Sequence, residues 1–190
     1  NLLDQHDHLT NHIDFTKLKS VFEIGGGFGI NTHLLIENYP NIRKIIYLDI
    51  PPNLYVGTQY LKALYGECVY DYKLLKLKNK IKFKPDESLE IFCIAPWQIE
   101  DLDETVDLFF NSHSFVEMPE ISVENYAKNI INNKNLKTKL ALISYDRFNL
   151  DSTFHPDKLM DFFPNRNNWI KYLKPSLIKS NRKNHFYISQ

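Results

Sequence analysis

Glycine is scarce in this chain, 6 among 190 residues, and cysteine scarcer still at 2. Cys68 and Cys93 stand alone, in neither a C-x-x-C pair nor a disulfide framework, which predicts a reduced, cytoplasmic setting. Net charge is missing too: 23 basic side chains cancel 23 acidic ones. A protein that grips a nucleic-acid duplex is expected to carry a basic excess, so neutrality argues against such a partner. No apolar run approaches the roughly 20 residues of a membrane-spanning helix, and no secretory signal opens the chain. The first residue is Asn1 rather than Met, so an N-terminal portion is expected to be missing. With no repeat or low-complexity linker, the expected organisation is one domain over 20–190 after a lead-in segment, 1–19.

The few glycines are not scattered. Gly25, Gly26, Gly27 and Gly29 fall together in VFEIGGGFGINTHLL, between a strand-like and a helix-like run. Such a cluster marks a place where main chain must come close to something. Around it, short apolar runs alternate with helical patterns. SVFEI is followed by INTHLLIENYP, and KIIYLDIP, ended by Pro51 and Pro52, by NLYVGTQYLKALYG. In the last of these Leu54, Tyr55, Thr58, Leu61 and Leu64 share a face. LEIFCIAPW, VDLFFNSHSF and KLALISYDR are further strands, with VENYAKNIINN as a helix before the last of them. The lysine-rich stretch 70–84 reads as an insertion, and WIKYLKPSLIKS with HFYISQ as a closing antiparallel pair.

This alternation predicts an α/β fold: a Rossmann-like, doubly wound, mostly parallel sheet of seven strands with a C-terminal antiparallel strand. Ligands of such sheets sit beyond the carboxyl ends of the strands, at the topological switch point. The glycine loop, Asp49, Trp97, Asn111, His113 and Asp146 all fall there. Two ligand classes use a glycine turn after the first strand. A dinucleotide site wants G-x-G-x-x-G, but the third glycine would be residue 30, which is Ile30; Gly29 comes one position early. A glycine-rich turn in an unrelated α/β protein is the other reading.

The pattern E-x-G-x-G-x-G over Glu23, Gly25, Gly27 and Gly29 resembles the first motif of class I S-adenosylmethionine-dependent methyltransferases. The resemblance implies that Gly25, Gly26, Gly27 and Gly29 bring backbone against the methionine part of S-adenosyl-L-methionine. It implies that Glu23 organises the ammonium side, and that Asp49, with Ile50 beside it, accepts from the ribose hydroxyls. It implies an adenine site at Trp97 and Gln98, with Asn111 near the methionine end. Two blocks go further: EIGGGFGINTHLLIENYPNIRKIIYLDIPPNLYVGTQYLKALYG and NSHSFVEMPEISVENYAKNI resemble the bacterial sugar O-methyltransferase family. That resemblance implies methyl transfer to a sugar hydroxyl, in polysaccharide or glycoconjugate biosynthesis, with a small molecule or glycan as substrate.

Moving a methyl group to a weakly acidic hydroxyl calls for positioning and for removal of a proton. His113 is the candidate general base, because a histidine titrates near neutrality without help from a metal. Its rival is a hydrogen-bonded histidine closing the strand end. Glu117 is a candidate to orient that base or contact substrate, and Asp146 and Arg147 to bind substrate hydroxyls; His155 is a reserve base. His33 is expected to be structural, and the histidines and aspartates of 4–14 to form a polar segment rather than a metal site. Other enzymes stay open: methyl transfer to a phenol or carboxylate, or a nicotinamide-dependent reductase. So does a non-catalytic cofactor-binding domain.

Overall fold

A computed structural model of the chain describes residues 2–78, 80–132, 137–145, 154–164, 168–175 and 183–189. The chain opens on helix α1 (Leu2–Thr10) and enters the sheet at β1 (Ser20–Ile24). Then follow α2 (Ile30–Asn38), β2 (Lys44–Leu48), α3 (Pro51–Tyr65), the two-residue β3 (Val69–Tyr70), the short α4 (Tyr72–Leu75) and β4 (Glu90–Ile94). The second half holds β5 (Leu108–Ser112), α5 (Ser114–Glu117), α6 (Glu120–Asn132), β6 (Lys139–Tyr145), β7 (Trp169–Pro175) and β8 (Lys183–Ser189).

The strands form one sheet in the order β3-β4-β2-β1-β5-β6-β8-β7. Pairs from β3 across to β6 are parallel; β8 runs antiparallel to both β6 and β7, so β8 alone is reversed. The seven expected strands are there, and Val69–Tyr70, where the lysine-rich stretch begins, adds an eighth at the edge. That stretch is held by Ile81, which bridges Leu102, and by Asp71, whose carboxylate accepts from the first amides of α4. The chain steps outward from β1 to β2 and β4, then returns to the other side of β1 with β5. The switch point therefore lies between β1 and β5.

Both faces of the sheet are covered, which is why its central strands are apolar almost throughout. Phe22, Ile24, Ile46, Leu48, Phe92 and Ile94 point to the face packed by α5 and α6. Val21, Ile45, Tyr47, Ile91 and Cys93 point to the face packed by α1 and α3. Leu9, Ile13, Phe15 and Leu18 of the lead-in segment belong to that second core and are almost fully buried. The buried face of α3 is rotated from the one expected: Leu54, Gly57, Thr58 and Leu61 are inside, while Tyr55 and Leu64 are exposed. The reason is Gly57, which must lie directly against Tyr47. Among the described residues, no helix is long and apolar enough to cross a membrane.

Candidate active site

The end of β1 is built by glycines with different duties. A Cβ on Gly25 (φ +74°) would stand 2.1 Å from Ser114 Oγ, and one on Gly26 2.6 Å from the Tyr47 ring. Gly29 (φ +88°) precedes α2 and packs on Leu61. Only Gly27 (φ +61°) faces open space, with nothing within 4 Å of its Cβ position. Of the four, three serve the packing of the loop and one serves the space in front of it.

Tyr47 is the post around which the loop is wound. Its ring is buried beside Gly26 and Gly57, and its hydroxyl donates to the carbonyls of Gly27 and, at 3.2 Å, Asn53. Register explains the contact, since Tyr47 pairs with Glu23 across β1 and β2 on one face. The N–H of Gly27 donates to Asp49 Oδ2 at 2.7 Å, and that of Ile50 to Asp49 Oδ1 at 2.7 Å. Burial pushes the Asp49 carboxyl above its ordinary range, opposed by these two amides and by Asn53.

In front of the loop is a cleft of about 320 Å³, a usual size for a small-molecule site. It is walled by Gly25 and Gly27, by Asp49, Ile50 and Asn53, and by Ser112, His113, Ser114 and Glu117. Ile24, Leu48, Met118 and Tyr126 supply apolar surface. The described lining carries two carboxylates and neither lysine nor arginine.

His113 follows β5 with φ +70°, the left-handed region that a histidine enters only when its surroundings hold it there. Its Nδ1 lies 2.9 Å from Ser112 Oγ, its Nε2 3.4 Å from Asn184 Oδ1, and its ring stacks on Tyr145 at 5.4 Å. Burial lowers its pKa below 6.5, partly offset by the bond to Asn184. Glu117 Oε1 accepts from the Tyr145 hydroxyl at 2.5 Å.

The cleft thus brings together Gly25, Gly27, Asp49, Ile50, His113 and Glu117 of the expected residues. Others lie outside its wall. Glu23 points to the opposite side of the loop, where its oxygens accept from Asn31 Nδ2 (3.0 Å) and Thr32 Oγ1 (2.9 Å) at the start of α2. Gln98 is spent on a 3-10 turn, Pro96–Asp101: it accepts from the Ala95 N–H and donates to the Tyr72 carbonyl, each at 3.0 Å. Asn111 holds the crossover, donating to the Ile24 carbonyl at 2.9 Å and to Ser114 Oγ at 2.6 Å. Trp97 is 61% exposed and does not line the cleft, and Gly26 and Gly29 are turned into the fold. Asp146 and Arg147 lie outside the described residues. His155 caps a separate turn, accepting from the Asp157 N–H. His33 bonds the Tyr60 hydroxyl at 2.6 Å, and His6 that of Tyr39 at 2.8 Å.

Sequence reasoning passed over Asn53, Ser112, Ser114 and Tyr126. The serines had a signal in NSHS, where they flank the candidate base at and just beyond a strand end. Tyr126, in mid-helix, had none.

No protein-family model and no curated protein sequence matches the chain significantly. Solved structures do match its fold. Mitomycin 7-O-methyltransferase MmcR is similar with a TM-score of 0.63 at 12% identity, over 99% of this chain and 53% of that one. Human N-acetylserotonin methyltransferase, solved with its cofactor, gives 0.57 at 12%, over 92% and 48%. A protein from Pyrococcus horikoshii gives 0.65 at 11%, over 100% and 88%. The chain shares the Rossmann-like fold of the first two, both methyltransferases, and it spans about half the length of each.

Proposed function

We propose that this chain moves a methyl group from S-adenosylmethionine to an oxygen of a small acceptor, a sugar hydroxyl in surface-polysaccharide or glycoconjugate synthesis. One observation carries the reading: bare backbone at Gly27 stands beside the Asp49 carboxylate in a cleft with no basic side chain among its described lining. That lining fits a ligand bearing a sulfonium, an ammonium and two ribose hydroxyls, since carboxylates attract the cations and accept from the hydroxyls. It fits a nicotinamide dinucleotide poorly, because a pyrophosphate would face Asp49 and Glu117 with no lysine or arginine among the described lining to meet it.

When bound, the cofactor supplies an electrophilic methyl on a sulfonium that leaves as a neutral thioether, so no covalent nucleophile is needed. The protein holds the ligand at Gly25, Gly27 and Asp49, with Ile50 and Tyr126 as apolar walls. His113, neutral because it is buried, takes the proton from the acceptor hydroxyl, and Glu117 accepts from a neighbouring hydroxyl. The sugar acceptor rests on the resemblance of the NSHSFVEM and EIGGGFG blocks, and on the polar wall of Ser112, His113, Glu117 and Asn53.

Calorimetry with S-adenosylhomocysteine tests the cofactor. Binding is expected to weaken at least tenfold in Asp49→Ala, two lost charge-assisted hydrogen bonds being worth more than one such factor. Tight binding of NADH, with none of S-adenosylhomocysteine, overturns the reading. Transfer of labelled methyl to nucleotide sugars or glycans, compared with phenols and carboxylates, tests the acceptor.

A further inference from the structure

The contacts of His113 reach two segments that are remote in the chain. Ser112 Oγ bonds Gln5 Oε1 of α1 at 3.0 Å, 107 residues away, and His113 Nε2 meets Asn184 of the reversed strand β8, 71 residues away. Gln5 is 4% exposed and Asn184 6% exposed, so both amides are held by packing rather than by water.

Resting on the methyl-transfer reading above, we propose that Gln5 and Ser112 fix the tautomer of His113. Its Nε2 is then the atom that takes the acceptor's proton, and Asn184 receives the resulting Nε2–H. The directions follow from donor counting. Gln5 Oε1 can only accept, so the single hydroxyl proton of Ser112 points to it. Ser112 Oγ then offers a lone pair to His113 Nδ1 at 2.9 Å, and Nδ1 must carry a hydrogen. A neutral imidazole has one N–H, so Nε2 is bare.

Nε2 faces Asn184 Oδ1 at 3.4 Å, so the bare nitrogen meets an acceptor and the bond to Asn184 forms when Nε2 gains a hydrogen. The network is incomplete around neutral His113 and complete around its protonated form, where every contact becomes donor to acceptor. As the acceptor's O–H bond breaks, its proton passes to Nε2 and its electron pair stays on oxygen to bond the incoming methyl carbon. The left-handed backbone of His113 fits this role, since strain at such a position persists where the surroundings over-determine it.

Nitrogen-15 NMR of the imidazoles reads the tautomer directly, with His113→Gln identifying the signals. The wild type is expected to show hydrogen on Nδ1 and none on Nε2. Ser112→Ala should move population to the other tautomer and lower kcat about tenfold, a fraction of what a whole base contributes. The KM for S-adenosylmethionine should stay within about twofold. Ser112→Thr, which keeps the hydroxyl, should restore both, and Asn184→Leu should lower kcat while leaving Nδ1 protonated. Hydrogen on Nε2 in the wild type overturns the proposal, as does a Ser112→Ala protein with unchanged tautomer and kcat. If no acceptor is methylated but the tautomer responds as stated, the hydrogen-bond assignment holds and the methyl-transfer reading fails.

Discussion

Glu23 is enclosed between the glycine loop and α2, where burial pushes its pKa from 4.5 up to about 7, against the pull of Asn31 and Thr32. A carboxyl raised in this way binds more protons folded than unfolded, so its contribution to stability is full below about pH 4.5 and is lost as pH climbs towards 7. Glu23→Gln keeps the shape without the charge. Urea titration is expected to find it level with the wild type near pH 4.5 and about 1–3 kcal/mol more stable at pH 8. A gap that does not change with pH would show that the carboxyl stays ionised. His113 runs the other way. Its lowered pKa makes the neutral, proton-accepting form dominant at pH 7, so kcat should fall only on acidification below 6.5. His113→Ala should lower kcat by about 10²–10⁴-fold on a hydroxyl acceptor, and little on a carboxylate.

The glycine loop is an element in which adjacent residues answer to different constraints. Gly26→Ala would drive its methyl into the Tyr47 ring, and Tyr47 cannot retreat because Gly57 stands against its hydroxyl. The expected loss is about 1–3 kcal/mol of stability, typical of overpacking. Gly27→Ala meets no atom, so its folding cost is the left-handed backbone alone, about 1–2 kcal/mol. Its methyl instead occupies the cleft in front of Asp49, so calorimetry should show loss of S-adenosylhomocysteine binding out of proportion to the change in Tm. If Gly26→Ala lost binding while Gly27→Ala kept it, the proposed berth would be on the wrong side of the loop.

For the molecule as a whole, residues 2–18 are more than a lead-in. Leu9, Ile13, Phe15 and Leu18 sit in the core beside β1, and Gln5 reaches the cleft through Ser112. Burial of four such side chains is worth roughly 6–12 kcal/mol, at about 1.5–3 each. A domain of this size has a total stability of about 5–15 kcal/mol. Residues 20–190 expressed alone are therefore expected to give an unfolded or aggregated product by circular dichroism and gel filtration. A cooperative Tm close to that of the whole chain would make the segment dispensable.

Much of this was legible in local pattern. Strand runs, the helix after Pro51 and the loop between SVFEI and INTHLL follow from apolar period, proline and glycine, which act over a few residues. So did Asp49 and His113, because the end of a parallel strand puts whatever follows it at the crevice. Tertiary contact decided the rest. Glu23 and Gln98 are polar residues beside the crevice whose side chains turn away from it, Glu23 because strand alternation puts it on the Tyr47 face and Gln98 because it closes its own turn. Gly26 and Gly27 are identical as letters and differ only in what lies opposite them. Gln5 and Asn184 come from distant segments, and only the fold brings Gln5 to Ser112 and Asn184 to His113. Periodicity and strand ends are properties of neighbours along the chain, whereas the direction of a side chain and the partner it meets belong to the folded molecule.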